Sequence, residues 1–373
     1  MSSAKSVSVQ KKGTVRDFDT GQLRRSLLKW YRRNCRTLPW RSEPTLYNVL
    51  ISEFMLQQTR VDQAMPYYHR FQVAFPDFQT LSSASLERVL KLWEGLGYYS
   101  RAKNLHRTAQ YLATLQSPSS SALDDCPGIG PYTRAAIGSI VFNEVLPVID
   151  GNVNRVMARM LALRNPPQVP AEKKKILTLL KQWIAPNAPG DWNQALMELG
   201  AMVCTPRTPK CDQCPWLDSC RGRALGTPEA FPKKIPKPER PHKQIAAAII
   251  RRKDGRILIA QRMSTGLLAN LWEFPGGKLE PGETLQECCA REINEELGIR
   301  ICVLEKVGEI KHAYSHFSIT LHAFECRYVS GRPQTKGCQA WKWVWPAELF
   351  AYPFPKANWD LVKRLSTETN KRH

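Results

Sequence analysis

The sequence predicts a multidomain protein, with an all-α part followed by an α/β part. Three observations predict this. Apolar residues recur at helical spacing through roughly the first 220 positions, with no strand signal among them. A basic stretch rich in proline then interrupts the pattern over 227–243. After Gln244 the apolar period drops to two. A chain of 373 residues has room for two or three such domains.

Composition narrows the function. The net charge is +21 and is spread along the chain, which points to a polyanionic partner, nucleic acid before membrane. No run of 18 apolar residues is present, so no bilayer span is expected. Residues 1–16 read as a disordered basic tail without the apolar core of a secretory signal, which suggests an intracellular protein, cytoplasmic or nucleoid-associated. The chain carries eleven cysteines. Inside a cell these suit metal binding or burial rather than a disulfide framework.

The elements follow in order. Leu23, Leu27, Leu28 and Tyr31 mark one amphipathic helix, and Ile176, Leu177, Leu180, Trp183 and Ile184 mark another. Pro and Gly clusters at 38–39, 117–118, 127–128 and 166–167 separate the helical segments of a first domain over 17–226. The C-terminal domain spans 244–367. Its apolar runs 245–250 and 257–260 flank Lys253-Asp-Gly-Arg256, a hairpin signal. A helix is expected over 284–297. Alternation at Phe317, Ile319, Leu321 and Ala323, and at Trp341, Trp343 and Trp345, predicts two more strands. The adjacent Cys288 and Cys289 read as helix packing.

Several groups carry chemistry. Cys204, Cys211, Cys214 and Cys220 are spaced to wrap one metal centre, and the spacing alone allows zinc or iron–sulfur. Gly128 and Gly130 precede an apolar helix, a geometry that suits a phosphate site or an ordinary helix–turn–helix corner. Glu53 lies among apolar residues in Ile51-Ser-Glu-Phe-Met-Leu-Gln-Gln-Thr-Arg60. Asp150 precedes Gly151 and Asn152, where it also suits a helix N-cap.

The ordered set Leu-Pro-Trp-Arg41, Glu53 to Arg60, Trp-Glu-Gly-Leu-Gly-Tyr-Tyr-Ser-Arg101, Pro-Gly-Ile-Gly-Pro-Tyr132, Asp-Gly-Asn152 and the four cysteines resembles the MutY-type adenine DNA glycosylases, over about residues 20–225. The resemblance implies a helix-hairpin-helix glycosylase with a six-helix lobe, a [4Fe–4S] lobe and an active site between them. It implies removal of adenine opposite 8-oxoguanine, or opposite guanine, from double-stranded DNA by a monomer. Because the base leaves the stack, a closed pocket is required. Glu53 matches the acid that protonates adenine, and Asp150 the carboxylate that stabilises the oxocarbenium ion. Tyr132 and Asn152 match residues that position this network. Tyr132 stands where strand-cutting relatives carry a Schiff-base lysine, which implies a monofunctional enzyme. Arg41 and Gln194 resemble contacts to the everted adenine, and Gln58, Thr59, Leu96 and Tyr98 resemble probes of the opposite strand.

The C-terminal domain completes the pattern Gly277-x5-Glu283-x7-Arg291-Glu292-Ile-x-Glu295-Glu296-x-Gly298-Ile299 and resembles the Nudix hydrolases. Glu292, Glu295 and Glu296 share one helical face and suit Mg²⁺. Family members use a Nudix-like domain to read 8-oxoguanine. The loop His312-Ala-Tyr-Ser-His316, with Ser315 and His316 as readers, would do so here. The intact box also admits a nucleotide pyrophosphatase acting on 8-oxo-dGTP. Docking on DNA would compete with free nucleotide for the same domain, which favours the reader. A third alternative, a non-catalytic DNA-binding module, leaves both carboxylates unexplained.

Overall fold

A computed structural model describes residues 18–233, 235, 239–314 and 316–368. The expectations placed on the tail 1–16 and on Ser315 lie outside these residues. The chain forms two compact units. One holds residues up to Glu53 together with Ile129–Pro236, and the other holds Phe54–Gly128 together with residues from Lys237 onward.

In the first unit, both periodic segments are helices, Thr20–Asn34 and Pro170–Trp183. They pack with the helices Gly151–Met160 and Pro189–Met202 around a core that includes Leu27, Met157, Leu180 and Leu199. Trp216, from the cysteine-bearing loop, is the keystone of this core. Its indole N–H donates to the Leu23 carbonyl at 3.1 Å. Its ring meets Trp183 and Trp192 at 6.1 and 5.9 Å between centroids. The loop therefore carries its own anchor into the helix core.

In the second unit, four helices lie between Val61 and Ala113, and no described residue before His242 is in a strand. The rest is one mixed sheet of strands β1 (His242–Arg251), β2 (Ile257–Gln261), β3 (Trp272–Glu273), β4 (Gly276–Lys278), β5 (Arg300–Ala313), β6 (Ser318–Ser330) and β7 (Ala340–Val344). The order is β3-β2-β1-β6-β5, with β4 paired to β1 and β7 to β2. β1 and β6 run parallel from His242 opposite Ser318 to Arg251 opposite Arg327. The period-two residues face as expected: Ile319, Leu321 and Ala323 join one core with Leu361 and Leu365 of the final helix. Phe324 and Cys326 join the other with Cys288, Cys289 and Ile293. The expected helix runs Leu285–Leu297, fixed by a Thr284–Glu287 capping box and by Gly298 at φ +66°. Trp345 departs from the expected alternation, because β7 ends at Val344 and a 3-10 turn begins at Pro346. Among the described residues no helix is long and apolar enough to cross a membrane.

Trp216→Ala should cost about 3–5 kcal/mol of stability, as removal of a buried large aromatic does. A thermal melt of the holoprotein should show the loss, and the exposed Cys35→Ala should leave the melt unchanged.

Candidate active site and lesion cavity

The helix Leu46–Leu56 begins a turn after the short helix Pro39–Ser42 and carries Glu53 among residues that are all buried: Leu50, Ile51, Phe54 and Met55. Glu53 is only 6% exposed, and its Oε2 has no hydrogen-bond partner. Burial drives its pKa up to about 7. A hydrogen bond with the Tyr132 hydroxyl pulls it down, the nearby charge of Asp150 pushes it up, and Arg41 pulls it down. These three side chains therefore gather around Glu53 in one unit, as the sequence motifs predict. Tyr132 is itself forced well above the ordinary phenol range, by burial first and then by both carboxylates, so it stays neutral.

Asp150 serves two ends at once. It is the N-cap of the helix Gly151–Met160, with Oδ1 accepting from the Val153 amide at 2.6 Å. Its Oδ2 accepts from the Asn152 amide at 2.9 Å. Burial raises its pKa, while these hydrogen bonds oppose the rise. The capping role fixes where the carboxylate stands. Arg155 then orients Asn152, donating to its Oδ1 at 2.7 Å, and also donates to the carbonyls of Gly200 and Cys204 at 2.7 and 2.8 Å.

Arg41 and Gln194 also meet, through the Arg41 Nε at 3.1 Å from the Gln194 Oε1. Glu198 holds them in place. It is 1% exposed, takes two hydrogen bonds from the Arg36 guanidinium at 2.7 and 2.8 Å, and takes one from Arg41 at 2.9 Å. Burial would raise its pKa, but Arg36 and Arg41 hold it at about 2. Sequence reasoning missed Glu198. The available signal was an acid four residues after Gln194, on a helix whose Trp192, Ala195, Leu196 and Leu199 are buried.

The four cysteines line one small pocket with Val203, Leu217, Arg159 and Arg223. Among the described residues no three His, Cys, Asp or Glu groups converge as they would on a single ion. Four thiols around one pocket, with Arg159 donating to the Cys204 Sγ at 3.3 Å, suit a larger anionic cluster better than one zinc. Burial raises the thiol of Cys214 to about 12, so loading such a cluster must displace its proton.

In the second unit, Arg101 organises the loops that carry Gln58, Thr59, Leu96 and Tyr98. One guanidinium nitrogen donates to the carbonyls of Phe54, Met55 and Gln57 at 3.0, 2.8 and 2.5 Å. The other donates to the Thr59 hydroxyl and to the carbonyls of Leu96 and Gly97, at 3.2, 3.3 and 3.0 Å. It thus ties Gln58 and Thr59 to Leu96 and Tyr98. Gln58 and Tyr98 have φ of +58° and +49°, conformations that need such support. Tyr98 is 41% exposed and lines a cavity of about 510 Å³ that also contains His316. At the hairpin, Gly128 (φ +81°) lies against Asn104, where a Cβ would approach the amide to 2.6 Å. Gly130 caps the helix Pro131–Val141 with open space beside it.

Arg291, on the helix Leu285–Leu297, turns toward the carboxylates of the motif. It pairs with Glu283 at 2.7 Å, Glu292 at 3.2 Å and Glu295 at 3.1 Å. Glu296 is raised to about 8 by burial, and then by Glu273 and Glu292.

The pattern of the HhH-GPD superfamily base excision DNA repair proteins matches residues 51–186. That of the iron–sulfur binding domain of endonuclease III matches 204–220, and that of the NUDIX domain matches 246–364. The adenine DNA glycosylase of Mus musculus is 35% identical over 364 residues, covering 82% of this chain and 70% of its own. The Homo sapiens adenine DNA glycosylase is 33% identical over 386 residues, covering 87% and 70%. The chain belongs to the adenine DNA glycosylase family. A solved thermostable thymine-DNA glycosylase is 25% identical with a TM-score of 0.50, covering 55% of this chain and 97% of its own. Family membership accounts for the DNA partner and for an iron–sulfur cluster at the four cysteines, which would supply a rigid, charged scaffold for their loop.

Arg101→Lys retains at most three donors for six acceptors. It should cost about 1.5–3 kcal/mol, the worth of hydrogen bonds to a charged group. The expected readouts are a lower melting temperature and faster proteolysis at 57–60.

Proposed function

We propose that the protein is a monofunctional glycosylase that removes adenine paired with 8-oxoguanine or guanine, leaving an abasic site. The observation that carries this reading is a buried glutamic acid with a pKa of about 7, beside a second carboxylate held by a helix N-terminus. At neutral pH a substantial fraction of Glu53 keeps its proton in a site without water to compete for it. Delivered to the purine, that proton makes adenine a better leaving group. As the glycosidic bond breaks, the sugar becomes cationic, and Asp150 supplies the opposing charge. Asn152 and Arg155 hold Asp150 in place, and Tyr132 tunes the acid. Arg41 and Gln194, aligned by Glu198, are the groups we assign to the everted base. No amine stands at position 132, so the reaction ends at the abasic site.

Gln58, Thr59, Leu96 and Tyr98 take the opposite strand in this reading. The hairpin glycines take a phosphate, and His316, with Ser315, takes the oxidised base. The cysteines would hold a [4Fe–4S] cluster, and the chain would act as a monomer inside the cell. Mg²⁺ at Glu292, Glu295 and Glu296 would have to displace Arg291.

An 8-oxoguanine:adenine duplex incubated with the protein should break only after hot alkali, and borohydride should trap no covalent complex. Intact strands after alkali would refute the reading. Glu53→Gln should lower the single-turnover rate by about 10²–10⁴-fold. The rate should fall as pH rises through about 7, because the active form of Glu53 is protonated. Tyr132→Phe removes the hydrogen bond that lowers this pKa, so the alkaline fall should move to higher pH. With Mg²⁺ and 8-oxo-dGTP no phosphate release is expected; turnover abolished by Glu295→Gln would revive the pyrophosphatase reading.

A further inference from the structure

We propose that Leu267 is a specificity-determining contact for the nucleotide opposite the excised adenine. The inference rests on the function proposed above. The cavity of about 510 Å³ has three walls. The family resemblance had marked residues in two of them, the loop around Tyr98 and the segment that supplies His312, Tyr314 and His316. The third is the β2–β3 connection at residues 265–269, which no motif marked.

That connection is apolar where a surface loop has no folding reason to be. Leu267 lines the cavity yet is 51% exposed, and Met263 at the loop's start is 50% exposed. The backbone is held in an uncommon shape. Gly266, Leu268 and Asn270 have φ of +85°, +56° and +67°. A leucine in the left-handed region is strained and persists only where its surroundings over-determine it. Here they do. Lys103 donates to the Ser264 carbonyl at 2.6 Å, and Arg262 to the Leu267 carbonyl at 3.0 Å. Arg262 is itself clamped by both Glu273 oxygens at 2.8 and 2.7 Å. Gln261 donates to the Asn270 carbonyl at 3.0 Å. The loop is thus a braced finger that presents one leucine.

The lining identifies the occupant. Among the described residues no acidic one lines the cavity, while Lys103, Arg107 and Lys356 do. Apolar and aromatic surface comes from Leu267, Tyr98 and Tyr314. Flat apolar surface with cations around it fits a nucleotide, with its base against the side chains and its phosphates toward the lysines and arginine. Leu267 adds apolar contact at the rim and keeps water from the edge where an oxidised and an ordinary guanine differ. Excluding water there makes each hydrogen bond to that edge count for more.

The test uses the full holoprotein and duplexes whose adenosine is replaced by a 2′-fluoro analogue that resists cleavage. Kd is measured with 8-oxoguanine or guanine opposite, for wild type, Leu267→Ala and Leu267→Met. Single-turnover rates at saturating protein and melting temperatures are measured alongside. Leu267→Ala should reduce the preference for the oxidised duplex by roughly tenfold, the scale of losing most of one leucine's contact. The saturated rate and melting temperature should stay unchanged, and Leu267→Met should restore the preference. An undiminished preference in Leu267→Ala, or an equal loss on both duplexes, overturns the inference alone. Wild type binding both duplexes equally would overturn the inference together with the reading of His316 as a contact to the oxidised base, and wild type binding neither would overturn the functional reading beneath both.

Discussion

The burial of one carboxyl group is the constraint on which the rest depends. Glu53 sits on a helix whose neighbouring positions are filled by Leu50, Ile51 and Phe54, each fully buried. Water is the solvent that makes a carboxylic acid strong. Removing it favours the neutral form, and the proton stays at a pH where an exposed glutamate has lost it. The surroundings then trim the effect. Tyr132 and Arg41 lower the pKa and Asp150 raises it. The result is an acid poised near neutrality, next to a second carboxyl group.

Holding the second carboxyl in a fixed place is a structural task. Burial raises the pKa of Asp150 as well, and two ordered donors oppose the rise, one of them a backbone amide at the start of a helix. Because a cap cannot move without unwinding the first turn, the anion is fixed by secondary structure rather than by side-chain packing alone. Arg155 extends the support from Asn152 to the carbonyl of Cys204, so the loop that carries the cysteines and the loop that carries Asp150 share one guanidinium. In the second unit Arg101 plays a comparable part, bracing two backbone loops with left-handed residues.

Much of this was legible in the sequence. The four-cysteine cluster, the break between helical and strand-like periods, and the capped helix before Gly298 read directly, because each is written in local spacing. Glu53, Asp150 and Tyr132 stood out only through the family resemblance, since local spacing alone favoured a surface glutamate and a helix cap. The reading of Asp150 as an N-cap was right, and it does not exclude the catalytic part proposed for it. Long-range pairings were not legible. Glu198 reaches back about 160 residues to Arg36 and Arg41, and nothing near it in the chain announces either partner. Arg101 was quoted within a motif without a role, since its acceptors are carbonyls, which every residue owns. Trp345 continued an alternation that the strand did not, because Pro346 ended the ladder. Arg291, which the Nudix motif itself contains, turns toward Glu283, Glu292 and Glu295; the period placed the acids on one face but did not show which way the arginine turns.

The central claim is that Glu53 holds its proton near neutral pH. The most direct measurement is a ¹³C NMR or infrared titration of labelled glutamate, with Glu53→Gln used to assign the signal. The account predicts a carboxyl that titrates at about 7. A signal for Glu53 that titrates in the ordinary glutamate range, near 4.5, would contradict it.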